Sequence, residues 1–176
     1  MNITGGKFNG RKITTVKSNN VRPTSSKVRA SIFNMLNSLD FDFSGALFLD
    51  LFAGSGIMGL EALSRGFEKS VFVEKNPATY HLIKQNLAKF DAQYELFNAD
   101  ALKFLDKSQN TFDTIFVDPP YHAGVYDDII SKVFQNKLLK PEGILIIEAP
   151  LEYALPSTCS VIKEKVYGDT KIYFLK

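Results

Sequence analysis

The chain has 176 residues, of which 45% are hydrophobic and 23% charged, a composition ordinary for one soluble globular domain with a sizeable core. It argues against disorder over most of the length, and no apolar run approaches the roughly 18–20 residues that a membrane helix needs. One cysteine and two histidines leave no internal disulfide and no zinc cluster. Because the N-terminus also lacks the apolar stretch of a secretory signal, we expect a cytoplasmic protein without a metal.

The first 35 residues form a basic arm on an acidic body. They contain seven basic side chains and no acidic one, whereas the rest of the chain contains 14 basic and 19 acidic residues. Such an arm indicates either contact with a polyanion, most simply nucleic acid, or a solvated terminus. Gly5-Gly6 and Asn9-Gly10 are turn signals that separate short segments of the chain. They predict a hairpin or an irregular arm up to about Val16.

A break at Arg22-Pro23-Thr24 precedes the first predicted helix. Either Thr24 or Ser25 can cap this helix, and its apolar stripe is Val28, Ile32, Met35 and Leu39. Because such a stripe needs a surface to cover, we expect the helix to pack on the main body. We therefore divide the chain into a basic arm and helix over residues 1–40 and a main domain over residues 41–176.

Short apolar runs alternate with helical periodicity from residue 46 onward. The predicted strands are Ala46–Leu51, Ser70–Glu74, Tyr94–Phe97, Thr114–Asp118 and Gly143–Glu148. The predicted helices cover residues 57–65, 77–90, 101–107 and 126–138. This alternation indicates an α/β fold, with an open parallel sheet covered by helices on both faces. The final runs, Val161–Tyr167 and Thr170–Leu175, flank the hairpin signal Gly168-Asp169, so this seven-stranded, mostly parallel sheet should end in an antiparallel pair.

A glycine-rich segment, Gly54-Ser55-Gly56-Ile57-Met58-Gly59, follows the first predicted strand and opens a helix. Its G-x-G-x-x-G spacing is typical of a cofactor loop, because glycines allow the backbone to turn sharply and approach a ligand at a helix N-terminus. Glu74 ends the next strand about 20 residues on, where a carboxylate can accept both hydroxyl protons of a ribose. The loop by itself does not distinguish NAD from S-adenosylmethionine.

Two further acidic residues favour S-adenosylmethionine. Asp50 lies at the end of the first strand, where a carboxylate would meet the ammonium of a methionine moiety but would repel a pyrophosphate. Asp100 follows the third strand and could accept a hydrogen bond from an adenine amino group. The predicted cofactor site consists of Asp50, Ala53, Gly54, Ser55, Gly56, Glu74, Lys75, Asp100, Ala101 and Asp118.

The tetrapeptide Asp118-Pro119-Pro120-Tyr121 ends the fourth predicted strand, at the edge where open α/β sheets bind ligands. The prolines fix the backbone and remove two donors, so their carbonyls and the Asp118 carboxylate form a rigid set of acceptors beside an aromatic ring. Tyr121 could stack on a base. Asp118 could accept a hydrogen bond from the amine of that base and later take the proton of the amine. It would thereby orient the lone pair of the amine nitrogen in line with the sulfonium methyl group. We predict Asp118, Pro119, Pro120 and Tyr121 as the catalytic residues.

The tetrapeptide resembles the (Asp/Asn/Ser)-Pro-Pro-(Tyr/Phe) motif of amino-methyltransferases that act on nucleic-acid bases, and Asp50–Gly56 resembles their cofactor loop. The N-terminal run, from Gly5-Gly6-Lys7 through Arg22-Pro23-Thr24-Ser25 to Phe33-Asn34, is similar to the RsmD family. Those bacterial enzymes methylate the guanine 2-amino group in small-subunit ribosomal RNA. The similarity extends from about Ile3 to Leu175, although an acidic residue that often follows the Arg-Pro-Thr segment in the family is missing here.

The resemblance implies a Rossmann-like class I methyltransferase that uses S-adenosylmethionine, releases S-adenosylhomocysteine and acts on 16S ribosomal RNA. It implies that Asp118–Tyr121 hold the guanine and that Arg22, Pro23 and Thr24 lie close to the cleft. The expected partner is the RNA within an assembling small ribosomal subunit, and the acting unit is expected to be a monomer. The predicted RNA-contacting residues are Lys7, Arg11, Lys12, Arg22, Thr24, Lys27, Arg29, Tyr121 and His122.

Several alternatives stay open at this point. The nearest are another nucleic-acid amino-methyltransferase, acting on adenine N6 in DNA or RNA, and a protein glutamine methyltransferase. An NAD-dependent oxidoreductase and a non-catalytic RNA-binding factor are the others. His122 could receive a proton, but a loop histidine without a catalytic role fits the same position. Cys159 is distant in sequence from every cofactor motif and is expected to be a packing residue, which disfavours carbon-5 pyrimidine methylation because that reaction uses a cysteine.

Overall fold

The computed structural model describes residues 1–15, 24–120 and 124–176, and within these ranges the chain forms seven strands and five helices. The strands are β1 Leu47–Asp50, β2 Lys69–Glu74, β3 Gln93–Asn98, β4 Phe112–Val117, β5 Leu139–Pro150, β6 Val161–Tyr167 and β7 Thr170–Leu175. The helices are α1 Ser26–Asn37, α2 Ile57–Arg65, α3 Pro77–Leu87, α4 Ala101–Lys107 and α5 Tyr126–Gln135. In none of these ranges is a helix long and apolar enough to cross a membrane.

The strands form one sheet in the order β3-β2-β1-β4-β5-β7-β6. Strands β1 to β5 pair in parallel, and β7 runs antiparallel to both β5 and β6. The prediction of a mostly parallel seven-stranded sheet that ends in an antiparallel pair is confirmed. The strand order reverses between β1 and β4, and open α/β sheets commonly have a ligand-binding crevice at the carboxyl ends of strands at such a point.

Two apolar clusters cover the two faces of the sheet. Side chains alternate between faces along a strand, so Phe48 of β1 belongs to one cluster and its neighbour Leu49 to the other. The first cluster includes buried residues of α1, α2 and α3, and the second includes those of α4 and α5. The helix α1 and the apolar residues of the arm therefore pack in the same core as the central strand, while the division of the chain at residue 40 stays a prediction.

The arm is a compact loop anchored on the C-terminal end of α2. Asn2 and Lys12 form an antiparallel bridge, and the amide of Lys7 donates to the Ser64 carbonyl at 2.7 Å. Gly6 has a φ of +76°, and a Cβ at this position would lie 1.7 Å from the Ser64 oxygen. A glycine is therefore required for the arm to approach the helix so closely.

Three boundaries differ from the predictions by three residues or more. Helix α3 ends at Leu87 rather than residue 90, and α5 ends at Gln135 rather than residue 138. After α5 the backbone at Lys137 adopts a φ of +52°, which a right-handed helix cannot include. Strand β5 begins at Leu139 rather than Gly143 because its first residue pairs with Phe112 across an irregular register.

Replacing Gly59 with alanine should destabilise the protein, because α2 lies against β2 at this position. A Cβ on Gly59 would lie 2.2 Å from a ring carbon of Phe72, and overpacking of this kind costs about 1–3 kcal/mol in the free energy of unfolding. Urea denaturation measures the change. The double variant Gly59→Ala/Phe72→Leu is the control, because the smaller side chain should recover part of the loss. An unchanged midpoint for Gly59→Ala would contradict this packing.

Candidate active site

Five acidic side chains lie where the parallel strands reach the carboxyl edge of the sheet. Because β1 to β5 are parallel, their carboxyl ends share one edge. The five residues, each at or near the end of one strand, are Asp50, Glu74, Asp100, Asp118 and Glu148. Asp50 ends β1 and Asp118 follows β4, at the point where the strand order reverses. Open α/β sheets bind ligands at such a point, so this edge is the candidate active site.

The glycine loop connects β1 to α2 at this edge. Gly54 and Gly56 have φ values of +54° and +79°, and Gly56 is the residue at the N-cap of α2. The Gly54 amide donates to Glu74 Oε2 at 3.1 Å, while Glu74 Oε1 accepts from the Asn76 amide at 2.7 Å. A carboxylate offers about four acceptor sites, so Glu74 can hold the loop and also accept from ribose hydroxyl groups.

Asp50 is a buried carboxyl group, with only 1% of its surface exposed. Its Oδ2 accepts a hydrogen bond from the Gly59 amide at 3.0 Å. Burial, with a smaller contribution from the negative charge of Glu74, raises the pKa of Asp50 to about 7, against the opposing effect of the Gly59 hydrogen bond. A cation beside it would favour the charged form, which is the condition that the ammonium of a methionine moiety would supply.

Asp100 caps helix α4 and forms an ion pair with Lys75. Its Oδ1 accepts from the amides of Leu102 and Lys103 at 3.2 and 3.3 Å, and Oδ2 accepts from Lys75 Nζ at 3.0 Å. The hydrogen bond from Lys75 lowers the pKa of Asp100 most, which keeps this carboxylate ionised. Ala101 is the first residue of the capped helix. A contact between Asp100 and an adenine amino group stays a prediction.

Asp118 faces two other oxygen-bearing side chains. The Thr24 hydroxyl lies 2.8 Å from Glu148 Oε2 and 3.3 Å from Asp118 Oδ2. Burial, followed by the negative charge of Glu148, raises the pKa of Asp118 well above its usual range. The hydrogen bond from Thr24 opposes this shift, and the charge of Asp50 adds to it. A carboxylate with a raised pKa is a better proton acceptor, which is what a general base needs.

The structure therefore brings the predicted cofactor-site and motif residues that it describes to one edge. The loop residues Ala53–Gly56 and the motif residues Asp118–Pro120 lie at the ends of adjacent strands. Pro119 is buried, whereas Pro120 is exposed. The predictions for Arg22, Pro23, Tyr121 and His122 lie outside the described residues.

One predicted RNA contact is wrong. Arg29 is 1% exposed, and its guanidinium donates to the Thr24 carbonyl at 2.7 Å and the Asn2 carbonyl at 2.8 Å. It also pairs with the fully buried Glu61 of α2 at 3.3 Å. Arg29 therefore holds the arm and α1 against the core and does not reach RNA.

The other described basic residues of the arm lie at the surface. The exposed basic residues are Lys7, Arg11, Lys12 and Lys27. Arg11 is partly committed to packing, since its guanidinium lies 4.2 Å from the centre of the Phe90 ring and donates to the Lys89 carbonyl. Thr24 differs from all of them because it is buried between two carboxyl groups of the site.

Sequence reasoning missed two residues of this region. Glu148 ends the apolar run Ile144–Ile147 just as Asp50 ends its own strand, so the pattern that identified Asp50 could have identified it. Asn86 of α3 is fully buried. Its amide group exchanges hydrogen bonds with the Thr14 backbone at 2.8 and 3.0 Å and donates to the Ser55 carbonyl at 3.0 Å. It links the arm to the glycine loop, and no local pattern indicated this contact.

Cys159 is a packing residue rather than an activated nucleophile. Cys159 is partly buried against the second core cluster, and burial raises the pKa of its thiol. A raised pKa disfavours the thiolate that a nucleophile requires. Among the residues that the structure describes, no group of three His, Cys, Asp or Glu side chains could hold a metal ion.

Comparison with known proteins places this geometry in context. A family model described as "Conserved hypothetical protein 95" matches residues 1–176. The ribosomal RNA small subunit methyltransferase D of Haemophilus influenzae is 35% identical over 173 residues, which cover 94% of this chain and 88% of that protein. The protein of the same name from Escherichia coli is 35% identical over 170 residues, covering 94% of this chain and 84% of that protein.

The fold is also similar to solved structures. A hypothetical protein of Thermus thermophilus is 27% identical, with a TM-score of 0.86 over 100% of this chain and 99% of that chain. A precorrin-6y C5,15-methyltransferase from Geobacter metallireducens has a TM-score of 0.69 at 22% identity and covers 94% of both chains. The second likeness shows the fold alone, and that fold is Rossmann-like.

Proposed function

The chain belongs to the RsmD family of methyltransferases, and on that premise we propose that it methylates the exocyclic 2-amino group of a guanine in 16S ribosomal RNA, with S-adenosylmethionine as the donor. The observation that carries the proposal is the position of Asp118 and its two prolines beside Asp50 and the glycine loop. The proposed donor site and the proposed acceptor for a base amine would thus be adjacent at one edge of the sheet.

The described residues fit the donor. Bound S-adenosylmethionine supplies an electrophilic methyl group on a sulfonium. The buried Asp50 carboxyl group would pair with its ammonium, and Glu74 would accept from its ribose hydroxyl groups. Gly54 leaves the loop backbone without a side chain where a ligand must approach, whereas a Cβ on Gly56 would lie 3.2 Å from the buried side chain of Ile83. Asp100 would accept a hydrogen bond from the adenine amino group.

The tetrapeptide would hold and activate the base. An exocyclic amine is a poor nucleophile because its lone pair is delocalised into the ring, so orientation is the main task of the site. Asp118 would accept a hydrogen bond from one N–H of the amine, and the carbonyl groups beside it would accept one from the other N–H. As the nitrogen gains a methyl group the amine must lose a proton, and the raised pKa of Asp118 suits its carboxylate to accept it.

The RNA must present this guanine unpaired or flipped from its stack, because a stacked base leaves no room for the site to surround its amine. The exposed lysines of the arm would contact phosphates of the same RNA. Lys7 lies near the C-terminal end of α2, so its contact would be away from the acidic edge at the N-terminus of that helix. A ribosomal substrate agrees with the names of the relatives and implies action in the cytoplasm. We expect a monomer to act on the assembling subunit rather than on naked RNA.

Replacing Lys12 with alanine should weaken RNA binding and its dependence on salt. Each lost phosphate contact lowers the slope of log affinity against log salt by about 0.7–0.9. Filter binding or anisotropy at several salt concentrations measures that slope. Lys165→Ala is the matched control, because Lys165 is an exposed lysine on β6, the far edge strand of the sheet. Equal slopes for the two variants would contradict a role of the arm in RNA binding.

Labelled methyl transfer tests the proposal itself. Small ribosomal subunits are incubated with the protein and labelled S-adenosylmethionine, and their RNA is digested to nucleosides. We expect N2-methylguanosine as the labelled product. Labelled N6-methyladenosine would favour the adenine alternative, and binding of NADH but not S-adenosylhomocysteine in calorimetry would favour an oxidoreductase. Tight cofactor binding without transfer to any RNA would favour a non-catalytic factor.

A further inference from the structure

A second carboxyl group lies beside Asp118 at the active edge. Glu148 is 6% exposed and is located near the end of β5, the strand that pairs with β4. The register pairs Val117 with Ile147, so Asp118 and Glu148 are the next residues on neighbouring parallel strands. Neither the family motif nor the sequence pattern analysed above assigns a role to Glu148.

One hydroxyl group joins the two carboxyl groups. Thr24 Oγ1 donates to Glu148 Oε2 at 2.8 Å and lies 3.3 Å from Asp118 Oδ2. Both acidic oxygens are thus within hydrogen-bond distance of the same atom. The backbone of Thr24 is itself fixed, because its carbonyl accepts a hydrogen bond from the Arg29 guanidinium at 2.7 Å. The spacing of the two acceptors is therefore fixed by a buried network rather than by loose surface side chains.

Two adjacent acceptors match the edge of one base in particular. Guanine presents two neighbouring donors, the N1–H and the 2-amino group. Adenine presents its 6-amino donor beside N1, which is an acceptor. An ionised carboxylate facing adenine N1 would bring two hydrogen-bond acceptors together, which is unfavourable. A site whose acceptor is matched to a donor of the substrate rejects an analogue without that donor. A carboxylate has about four acceptor sites, so Glu148 can hold Thr24 and bind a base together.

We propose that Glu148 accepts the N1–H of the target guanine while Asp118 accepts from its 2-amino group, which makes Glu148 the residue that selects guanine over adenine. This inference rests on the proposed function, since it assigns a specificity residue to the same site. It gives the costly placement of two neighbouring carboxyl groups, one buried and one half-buried, a reason in substrate recognition.

The test compares Glu148→Gln with Glu142→Gln, a matched control on the same strand. Glu142 is exposed and pairs with Lys176. The substrate is a reconstituted small subunit that carries either guanine or 2-aminopurine at the mapped methylation position. 2-Aminopurine keeps the 2-amino group but has no N1–H. For the wild type and Glu142→Gln, we expect kcat/KM to be about 10- to 100-fold higher with guanine, as for a hydrogen bond to a charged group.

In Glu148→Gln the ratio of kcat/KM with guanine to kcat/KM with 2-aminopurine should fall to within a few-fold of one. The acidic limb of the pH profile of kcat/KM with guanine should also move to lower pH, because the charge of Glu148 raises the pKa of Asp118. A purely structural role would not move that limb. Glu148→Asp, which keeps the charge but is one methylene shorter, is the second variant if Glu148→Gln fails to fold, and it should also lose most of the preference.

The outcomes separate the two proposals. If the wild type methylates no guanine, the proposed function fails. If the wild type methylates guanine but a folded Glu148 variant keeps the preference of Glu142→Gln, the role of Glu148 fails and the proposed function stands. Loss of the preference together with the shifted pH limb supports both.

Discussion

Asp118→Ala should abolish measurable methyl transfer while its affinity for S-adenosylhomocysteine stays within a few-fold of the wild type. The substitution removes the carboxylate that accepts from the base amine and takes its proton. General-base catalysis alone contributes about 10²–10⁴-fold, and loss of orientation adds to that. The cofactor contacts assigned to Asp50 and Glu74 lie on other strands and should persist.

Single-turnover transfer to small subunits measures the rate, and calorimetry measures the affinity. Asp118→Asn is the informative companion, because its amide oxygen can still accept from the amine but cannot take the proton. Its rate should fall between those of the wild type and the alanine variant. Turnover retained by Asp118→Ala at more than about a tenth of the wild-type rate would refute the role assigned to this residue.

The second large effect is expected on stability. Arg29→Ala would leave Glu61 buried without one of its two arginine partners, and breaking a buried ion pair in this way costs about 3–5 kcal/mol. The amide of Thr4 also donates to Glu61 at 2.7 Å, so the arm should loosen together with α1. Loss of the Arg29 bond to the Thr24 carbonyl should in addition slow transfer, because Thr24 would no longer be held beside Asp118.

Urea denaturation measures this loss, with Lys27→Ala as the control. Lys27 is a basic residue of the same helix with an exposed side chain, so its removal should change the free energy of unfolding by no more than about 0.5 kcal/mol. Similar values for the two variants would show that the Arg29–Glu61 contact contributes little.

Most of the sheet could be predicted because its strands carry their own signals. The apolar runs ending in Asp50 and Asp118 are buried on both faces, as central parallel strands are, and the caps of the helices are local. The starts and ends that were misplaced, such as the start of β5 before Gly143, depend on pairing with distant residues. Strand pairing across such distances has no counterpart in a local pattern.

The site was predictable where its residues end strands and unpredictable where they bridge elements. Arg29 was misassigned because a charge count does not show which side of a helix a residue occupies. Its spacing of three, four and seven residues from Ile32, Phe33 and Leu36 places it on the buried face, so the sequence did contain the signal. No sequence pattern indicated the role of Asn86, since its partners Thr14 and Ser55 come together only in the folded chain.

The most direct test of the central claim is mass mapping of small-subunit ribosomal RNA from a strain that lacks the protein. The account predicts the loss of a single N2-methylguanine, with every other modification unchanged. The wild-type protein should restore it, and Asp118→Ala should not. An RNA that keeps all of its methylguanines, or that loses a methyladenine instead, would contradict the account.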